Sequence, residues 1–323
     1  MKIDVHAHLF SSAYIDCLQR VFGNDSTPTG QDAQRLIRWM RADPRMIDVE
    51  GRLEEMNKWN IDMQVLSVPF HGALVQDKAA AVELTQLAND LVIQTAHKYP
   101  QRFRALLAIP LQFPDVAVQE LDRIADRSEV VGVILAGSAG GRPLNDASFM
   151  PFYAELEQRH IPFLLHPISP PGLDCMLELN LANVVGFMFE TTLAAVRLVY
   201  AGVFERHPDL RMIFPHLGGL APYLMGRLQW GYERFPPCNE NITNPPEFYF
   251  KSFYYDTVCR NVPALRMALS MFGTKHIMFG TDIPLREDIE LQLRDIAALD
   301  LSDADLNDIY SGNAARLLGI TTI

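Results

Sequence analysis

The sequence predicts an α/β protein whose eight parallel strands close into a (β/α)8 TIM barrel. Two observations carry that expectation. Apolar runs of strand type alternate with helical stretches eight times along the chain, and its 323 residues exceed the roughly 250 that such a barrel needs. A third observation removes the main competitor. No glycine-rich phosphate loop follows the first strand, as a doubly wound open sheet of the dinucleotide-binding kind would require.

Taken in order, the strand candidates are KIDVHAH, DMQVLSVP, FRALLAIPL, VVGVILAGS, PFLLHP, RMIFPHLGG, FYYDTVC and HIMFGTDIP. They are near-continuous apolar runs, as expected of parallel strands covered on both faces. Helical periodicity is read over 77–98, 115–127, 148–159, 191–206, 222–234, 262–272 and 287–298, and a last helix over 302–318. The cluster AGSAGG after the fourth strand has no P-loop lysine and reads as a structural loop. Two excursions interrupt the alternation, residues 11–50 after the first strand and 168–190 after the fifth. Both leave from strand C-termini, the face on which barrel enzymes build their sites. No internal repeat, low-complexity tract or domain boundary is visible, so residues 1–323 are expected to form one domain.

Composition narrows the function. A content of 49% hydrophobic and 21% charged residues suits a globular protein with a large core. No apolar run is read as approaching the roughly 20 residues of a membrane span, and the N-terminus lacks the regions of a signal peptide. A cytoplasmic protein with no membrane partner is therefore expected. The net charge of −11, with no basic cluster, argues against nucleic acid as a partner. Cys17, Cys175, Cys238 and Cys259 are scattered without a C-x-x-C pair, which reads as reduced thiols and not a disulfide framework or zinc knuckle.

The first strand raises the functional question. His6 and His8 lie two apart, so they share one face of a strand. Alone, they fit an edge strand facing solvent as well as a metal site. The other histidines decide between these. His97, His160, His207 and His276 fall just before strands, or at a strand's first residue, which puts them at the bottom of a barrel in structural roles. His6, His8, His166 and His216 fall at the C-terminal ends of strands one, five and six, His71 lies just past strand two, and Asp282 ends strand eight. A barrel brings all its strand C-termini to one mouth, so His6, His8, His166, His216 and Asp282 are expected to converge. Imidazoles plus a carboxylate are the usual ligand set of Zn²⁺, with an open position for water.

These motifs resemble the amidohydrolase superfamily, and within it the branch similar to aminocarboxymuconate-semialdehyde decarboxylase, the amidohydrolase 2 family. The resemblance rests on DVHAH, EGRLEEMNKWNIDMQVLS, the pair His166-Pro167, the long stretch ETTLAAVRLVYAGVFERHPDLRMIFPHLGG, and FGTDIP. It covers nearly the whole chain and implies a TIM barrel of the metal-dependent hydrolase type. It implies that His6, His8, His166 and Asp282 bind one divalent ion, expected to be Zn²⁺, with His216 just outside, hydrogen-bonded to the water on the metal. Two-metal relatives use a carboxylated lysine from strand four, which is absent from VVGVILAGSAGG. Benzoate-type decarboxylases of the family usually begin with Glu-x-His, so His6 favours the branch of the semialdehyde decarboxylase and various hydrolases.

Two reactions share this constellation, and His216 and Asp282 are the candidate catalytic residues for both. In hydrolysis of a lactone, ester or amide, the metal lowers the pKa of its water toward about 7, and Asp282 or His216 takes the proton. In decarboxylation of a small carboxylated cyclic or unsaturated acid, the reading placed ahead, a carbon is protonated and CO₂ leaves. A non-catalytic metal-binding barrel is the remote alternative, since an open site of this kind is a catalytic pattern. Decarboxylation needs cations for the substrate's carboxylates, and arginine is the natural clamp. Arg45, Arg142, Arg260 and Arg286 fall on top-face loops, and any one of them reads equally as a solvated surface residue. The resemblance implies one clamp from the first excursion and another from a neighbouring subunit of a homodimer, with Arg45 and Arg234 the nearest residues here. Arg260, Arg286, Arg45, His71 and Phe187 are the substrate-contact candidates. Phe10, Phe70, Phe187 and Phe189 either wall the pocket or pack as core under the excursions. Glu190 reads as a residue that starts or orients a helix.

Overall fold

The structure is a computed structural model that describes residues 1–69, 71–124, 126–286 and 288–321, with His71 described by its backbone alone. All eight expected strands are present: β1 (Ile3–His8), β2 (Met63–Ser67), β3 (Phe103–Ala108), β4 (Val130–Ala136), β5 (Phe163–His166), β6 (Met212–Phe214), β7 (Tyr254–Asp256) and β8 (Ile277–Met278). They pair in parallel in chain order. The first and last strands close the ring. Val5 N–H donates to Phe279 O at 2.9 Å, Asp282 N–H to His6 O at 2.7 Å, and His8 N–H to Ile283 O at 2.7 Å. Every residue of β1 and β2 is buried, which is why the two histidines of β1 must find partners inside the barrel and not in solvent.

Helices cover the outside. The first excursion, left unassigned from sequence, holds two of them, α1 (Ser12–Phe22) and α2 (Pro28–Ala42). Ser11 caps α1 by accepting from Tyr14 N–H, and Thr27 caps α2, with Pro28 in its first turn, where a missing N–H costs nothing. Then come α3 (Val49–Trp59), α4 (Lys78–Lys98), α5 (Pro114–Ile124), α6 (Met150–Gln158) and α7 (Phe187–Tyr200). They are followed by α8 (Ala221–Arg234), α9 (Val262–Phe272) and α10 (Ile289–Ala297). Asp303–Asn307 and Asn313–Leu318 close the fold, joined by a π turn at Asp308–Gly312 and capped by Ser302.

One helix differs most from the sequence reading. The helix expected over 191–206 starts earlier, through a π turn at Ala182–Gly186, and breaks at Gly202, whose φ of 70° suits glycine. Residues 182–200 are long and apolar enough to cross a membrane by length and composition, with mean hydropathy 1.3, a run the sequence reading passed over. Half of it is buried against the barrel, and it carries Glu190 and Arg197, as a core helix of the fold can. At the barrel's lower end, His97 meets Glu129 at 2.7 Å, His207 meets Glu157 at 2.9 Å, and His276 Nδ1 faces Phe253 O at 2.9 Å.

The end of β3 depends on one side chain. Ala108 N–H donates to Asn89 Oδ1 at 2.7 Å, and Asn89 Nδ2 donates to Ala108 O at 3.0 Å and Glu120 Oε1 at 2.8 Å, all buried. Asn89→Ala removes its bonds to the N–H and carbonyl of Ala108, while Glu120 keeps Arg123. It is expected to cost about 1–3 kcal/mol, read as a lower urea midpoint at unchanged slope. A loss below about 0.5 kcal/mol, the scale of a neutral surface change, would show that the β3 end is held by other bonds.

Candidate metal centre and active site

Three histidines are each held from behind. His6 Nδ1 lies 2.6 Å from Asp256 Oδ2, His8 Nδ1 lies 2.9 Å from Ser67 Oγ, and His166 Nδ1 lies 2.8 Å from Pro167 O. A carbonyl and a carboxylate only accept, and the Ser67 hydroxyl donates to Ala7 O at 3.4 Å. Each Nδ1 therefore carries the proton, and each Nε2 presents a lone pair. Those lone pairs meet. His6 Nε2 and His8 Nε2 are 3.1 Å apart, and Asp282 Oδ1 is 3.1 Å from His8 Nε2 and 3.5 Å from His6 Nε2. His166 Nε2 is buried with no hydrogen-bond partner among the described residues.

Four acceptor atoms, all within 4.8 Å of one another, thus face one point with no proton to share. A divalent cation satisfies that arrangement, and nitrogen and carboxylate donors fit one. Burial pushes His8 down to about 4 and His166 well below the usual imidazole range, which keeps both rings neutral and able to ligate. The residues expected to bind metal are brought together as a site for one divalent ion, and strand four supplies no fifth ligand.

His216 sits beside this group. It follows β6 in a tight turn where His216 and Leu217 have φ of 52° and 56°, a left-handed geometry that non-glycine residues adopt at a cost. Its Nε2 is 3.6 Å from Asp282 Oδ2, the oxygen turned away from the cluster, and its Nδ1 is buried without a partner among the described residues. Asp256 holds this turn as well as His6, accepting from Leu217 N–H at 3.2 Å and Val258 N–H at 3.0 Å on Oδ1.

Below the cluster, Asp4 ties three strands together. It accepts from His6 N–H at 3.1 Å, Thr281 N–H at 3.0 Å, Thr281 Oγ1 at 2.7 Å and Gln64 Nε2 at 2.9 Å. Burial still pushes its carboxyl up to about 6. Arg52, also buried, donates to His8 O at 3.0 Å. Gly280 lets β8 come close, because a Cβ there would lie 2.9 Å from Asp256 Cβ and 3.1 Å from His6 Cβ. The sequence reading missed Asp256, Asp4 and Ser67. The strand-end rule that found Asp282 also points to Asp256, at the end of β7, had it been applied to every carboxylate.

A cavity of about 340 Å³ opens from His166 outward. Phe10, Pro69, Phe187 and Leu285 wall it near the strand ends, and the face of α2 that carries Leu36 and Trp39 covers it. Both excursions therefore reach the site. Phe10 and Phe187 line the cavity, whereas Phe189 turns outward, 52% exposed. Phe70 lies outside the described residues, and so does the side chain of His71.

The expected arginines stand elsewhere, each with an acceptor already in place. Arg260 and Arg286 converge on Asp288, at 2.7 and 3.4 Å. Arg45 is folded onto Asp43, with Nε 2.9 Å from Oδ1, and lines a separate surface groove. Arg142 donates to Gln112 O and Ser148 Oγ. None of the four lines the cavity. The arginine that does is Arg35, on α2. Glu190 lies in the first turn of α7, after the π turn, and accepts from Ile168 N–H at 2.8 Å to fix the loop after β5. Its burial pushes the carboxyl up to about 8.

Comparison with known proteins places this geometry. The sequence model of the family described as Amidohydrolase (Amidohydro_2) matches residues 3–320. The 2-amino-3-carboxymuconate-6-semialdehyde decarboxylase of Dictyostelium discoideum is 31% identical over 99% of this chain and 92% of its own length. The crystal structure of 2,6-dihydroxybenzoate decarboxylase from Rhizobium superposes with a TM-score of 0.83 at 28% identity, covering 99% of this chain and 98% of that one. The dihydroxybenzoic acid decarboxylase of Polaromonas sp. JS666, crystallised with manganese and 2-nitroresorcinol, gives a TM-score of 0.82 at 25% identity, covering 100% of this chain and 98% of that one. The match runs from the first barrel strand to the closing helix and includes all four converging donors, so the chain is an enzyme of the amidohydrolase family.

Proposed function

We propose that this enzyme is a metal-dependent carboxy-lyase that removes CO₂ from a small planar acid, aromatic or conjugated. The observation that carries the reading is the cavity, which has aromatic and proline walls and is lined by His166, whose Nε2 has no partner among the described residues. The acids named for the decarboxylase relatives are conjugated or aromatic. When bound, the ion supplies positive charge against which substrate oxygens are held and their developing charge is stabilised. We assign zinc as the native ion on the donor set of three imidazoles and one carboxylate, and manganese in the Polaromonas relative is the rival assignment.

The rest falls to the chain's own side chains. Phe10, Phe187 and Trp39 exclude water and fix the plane of the substrate. His216, against Asp282 Oδ2, is the group placed to pass a proton to the substrate carbon. A carbon–hydrogen bond then forms as the carbon–carbon bond to CO₂ breaks, and the electron pair of the broken bond stays on the ring.

We further propose that the enzyme acts as a homodimer in the cytoplasm. Val185, Phe189 and Leu193 repeat along one exposed face of the 182–200 helix, and Tyr223 and Trp230 are exposed on α8. Exposed apolar side chains repeated along a helix face fit an interface. Arg234, at the end of α8, is exposed and has no ion-pair partner among the described residues, so it is available to a second subunit. The four cysteines are unpaired, as in a reducing compartment.

Three outcomes test these readings. The purified enzyme should hold about one zinc per chain, and changing His6 and His8 together to alanine should abolish that content by elemental analysis. Stoichiometric metal in the double variant would refute the site. His216→Asn should keep the metal and lose activity by about 10²–10⁴-fold, read as CO₂ release from hydroxybenzoates and conjugated diacids. Parallel loss of metal would make His216 a ligand, and turnover of neutral lactones or esters without CO₂ would make the enzyme a hydrolase. Phe189→Asp should shift the sedimenting species from dimer to monomer, and an unchanged mass would place the interface elsewhere.

A further inference from the structure

The outer end of the cavity is built differently from its floor. Along α2, Asp32, Arg35, Leu36 and Trp39 recur at helical spacing and share the face that looks into the slot. Asp32 and Arg35 are the only charged pair among the described residues that line it. Asp32 is 8% exposed, and its Oδ1 accepts from Arg35 Nη2 at 2.6 Å. Arg35 Nη1 donates to Asn180 Oδ1, across the cavity mouth from the second excursion. Leu179 and Asn180 both have positive φ, 51° and 59°, the left-handed region that asparagine tolerates.

Two of the five guanidinium N–H groups are spent on Asp32 and Asn180. The other three have no acceptor among the described residues, and Arg35 lines the slot. The charge, however, is already met. Asp32 is fixed in place and neutralises Arg35, so a second carboxylate brought to this end of a substrate meets the Asp32 carboxylate as well as the guanidinium. A neutral oxygen meets only donors.

We propose that Arg35 is a specificity-determining residue that donates hydrogen bonds to a neutral oxygen substituent, carbonyl or hydroxyl, at the end of the substrate remote from the metal. Asp32 sets that preference by excluding a second carboxylate. The inference rests on the decarboxylase reading for the orientation of the substrate, with its reacting carboxylate toward His166. It narrows the substrate class to monocarboxylic acids with a polar, uncharged far end.

The test uses the metal-loaded protein and salicylates that carry methyl, acetyl or carboxylate para to the carboxyl group, with binding read by calorimetry and turnover by CO₂ release. The acetyl compound is expected to bind about tenfold or more tightly than the methyl compound, and more tightly than the dicarboxylate. Arg35→Met should erase the acetyl preference, so that the acetyl and methyl compounds bind alike. Asp32→Asn should reverse the order in favour of the dicarboxylate, and its melting curve reports whether the buried change is tolerated. Retention of the acetyl preference in Arg35→Met overturns the proposal, as does a wild-type preference for the dicarboxylate or failure of all three compounds to bind. If the compounds bind and sort by Arg35 but release no CO₂, the carboxy-lyase reading fails and the role of Arg35 stands. If CO₂ is released while Arg35→Met changes nothing, the reverse holds.

Discussion

Four atoms that can only accept are held facing one another in a dry barrel mouth, and most of the surrounding architecture serves to keep them there. Two imidazole lone pairs at 3.1 Å with no proton between them repel, so the metal-free cluster is unfavourable by itself and is maintained by what lies behind it. Each ring is fixed from its far side by a group belonging to a different part of the barrel: Asp256 of β7, Ser67 of β2 and the carbonyl of Pro167 after β5. Because these partners only accept, or in the case of Ser67 are committed to Ala7 O, they choose the tautomer along with the orientation.

Closure of the barrel follows from the same requirement. β1 carries two ligands and β8 leads to the fourth, so the seam between the first and last strands is where the metal centre is assembled. That seam has little ladder pairing of its own. It is completed by Asp4, which accepts from both sides of it, and by Gly280, whose missing side chain lets β8 approach His6 and Asp256. The cost of burying Asp4 is visible in its raised carboxyl, and four hydrogen bonds offset it. A seam held by a buried polar hub tolerates less drift than one held by apolar packing, because every displacement leaves a donor or acceptor unmatched.

What could be read from the sequence divides along physical lines. All eight strands were legible because both faces of a barrel strand are apolar, and the convergence of His6, His8, His166, His216 and Asp282 because a closed ring maps chain position onto a single mouth; the resemblance singled out the four metal donors among them. Helix ends were less so. Gly202 breaks the helix after β5, and π turns at Ala182–Gly186 and Asp308–Gly312 insert residues that periodicity does not register. The arginines were illegible for a different reason. Strand-end position predicted that Arg260 and Arg286 would reach the mouth, but Asp288 lies near enough to take both, and only coordinates show which local carboxylate captures a long side chain. Arg35 carried no signal, since nothing in residues 11–50 says which face of α2 turns inward.

The division between barrel and excursions also divides chemistry from selectivity. Every donor in the metal cluster comes from a strand or from the first few residues after one, where the backbone is fixed by ladder pairing and the hub beneath. The groups that meet the far end of the cavity come from α2 and the 168–190 segment, which touch each other through Arg35 and Asn180 and are free to vary without disturbing the metal. The same arrangement explains why the pocket can carry a compensated ion pair at its mouth and an uncompensated cluster of acceptors at its floor. At the floor, charge must come from a bound ion, so the four acceptors are left unpaired. At the mouth, solvent is near and an unpaired guanidinium would draw any passing anion, so Asp32 matches it, and discrimination rests on hydrogen bonds that a neutral oxygen can accept and a second carboxylate can reach only against Asp32.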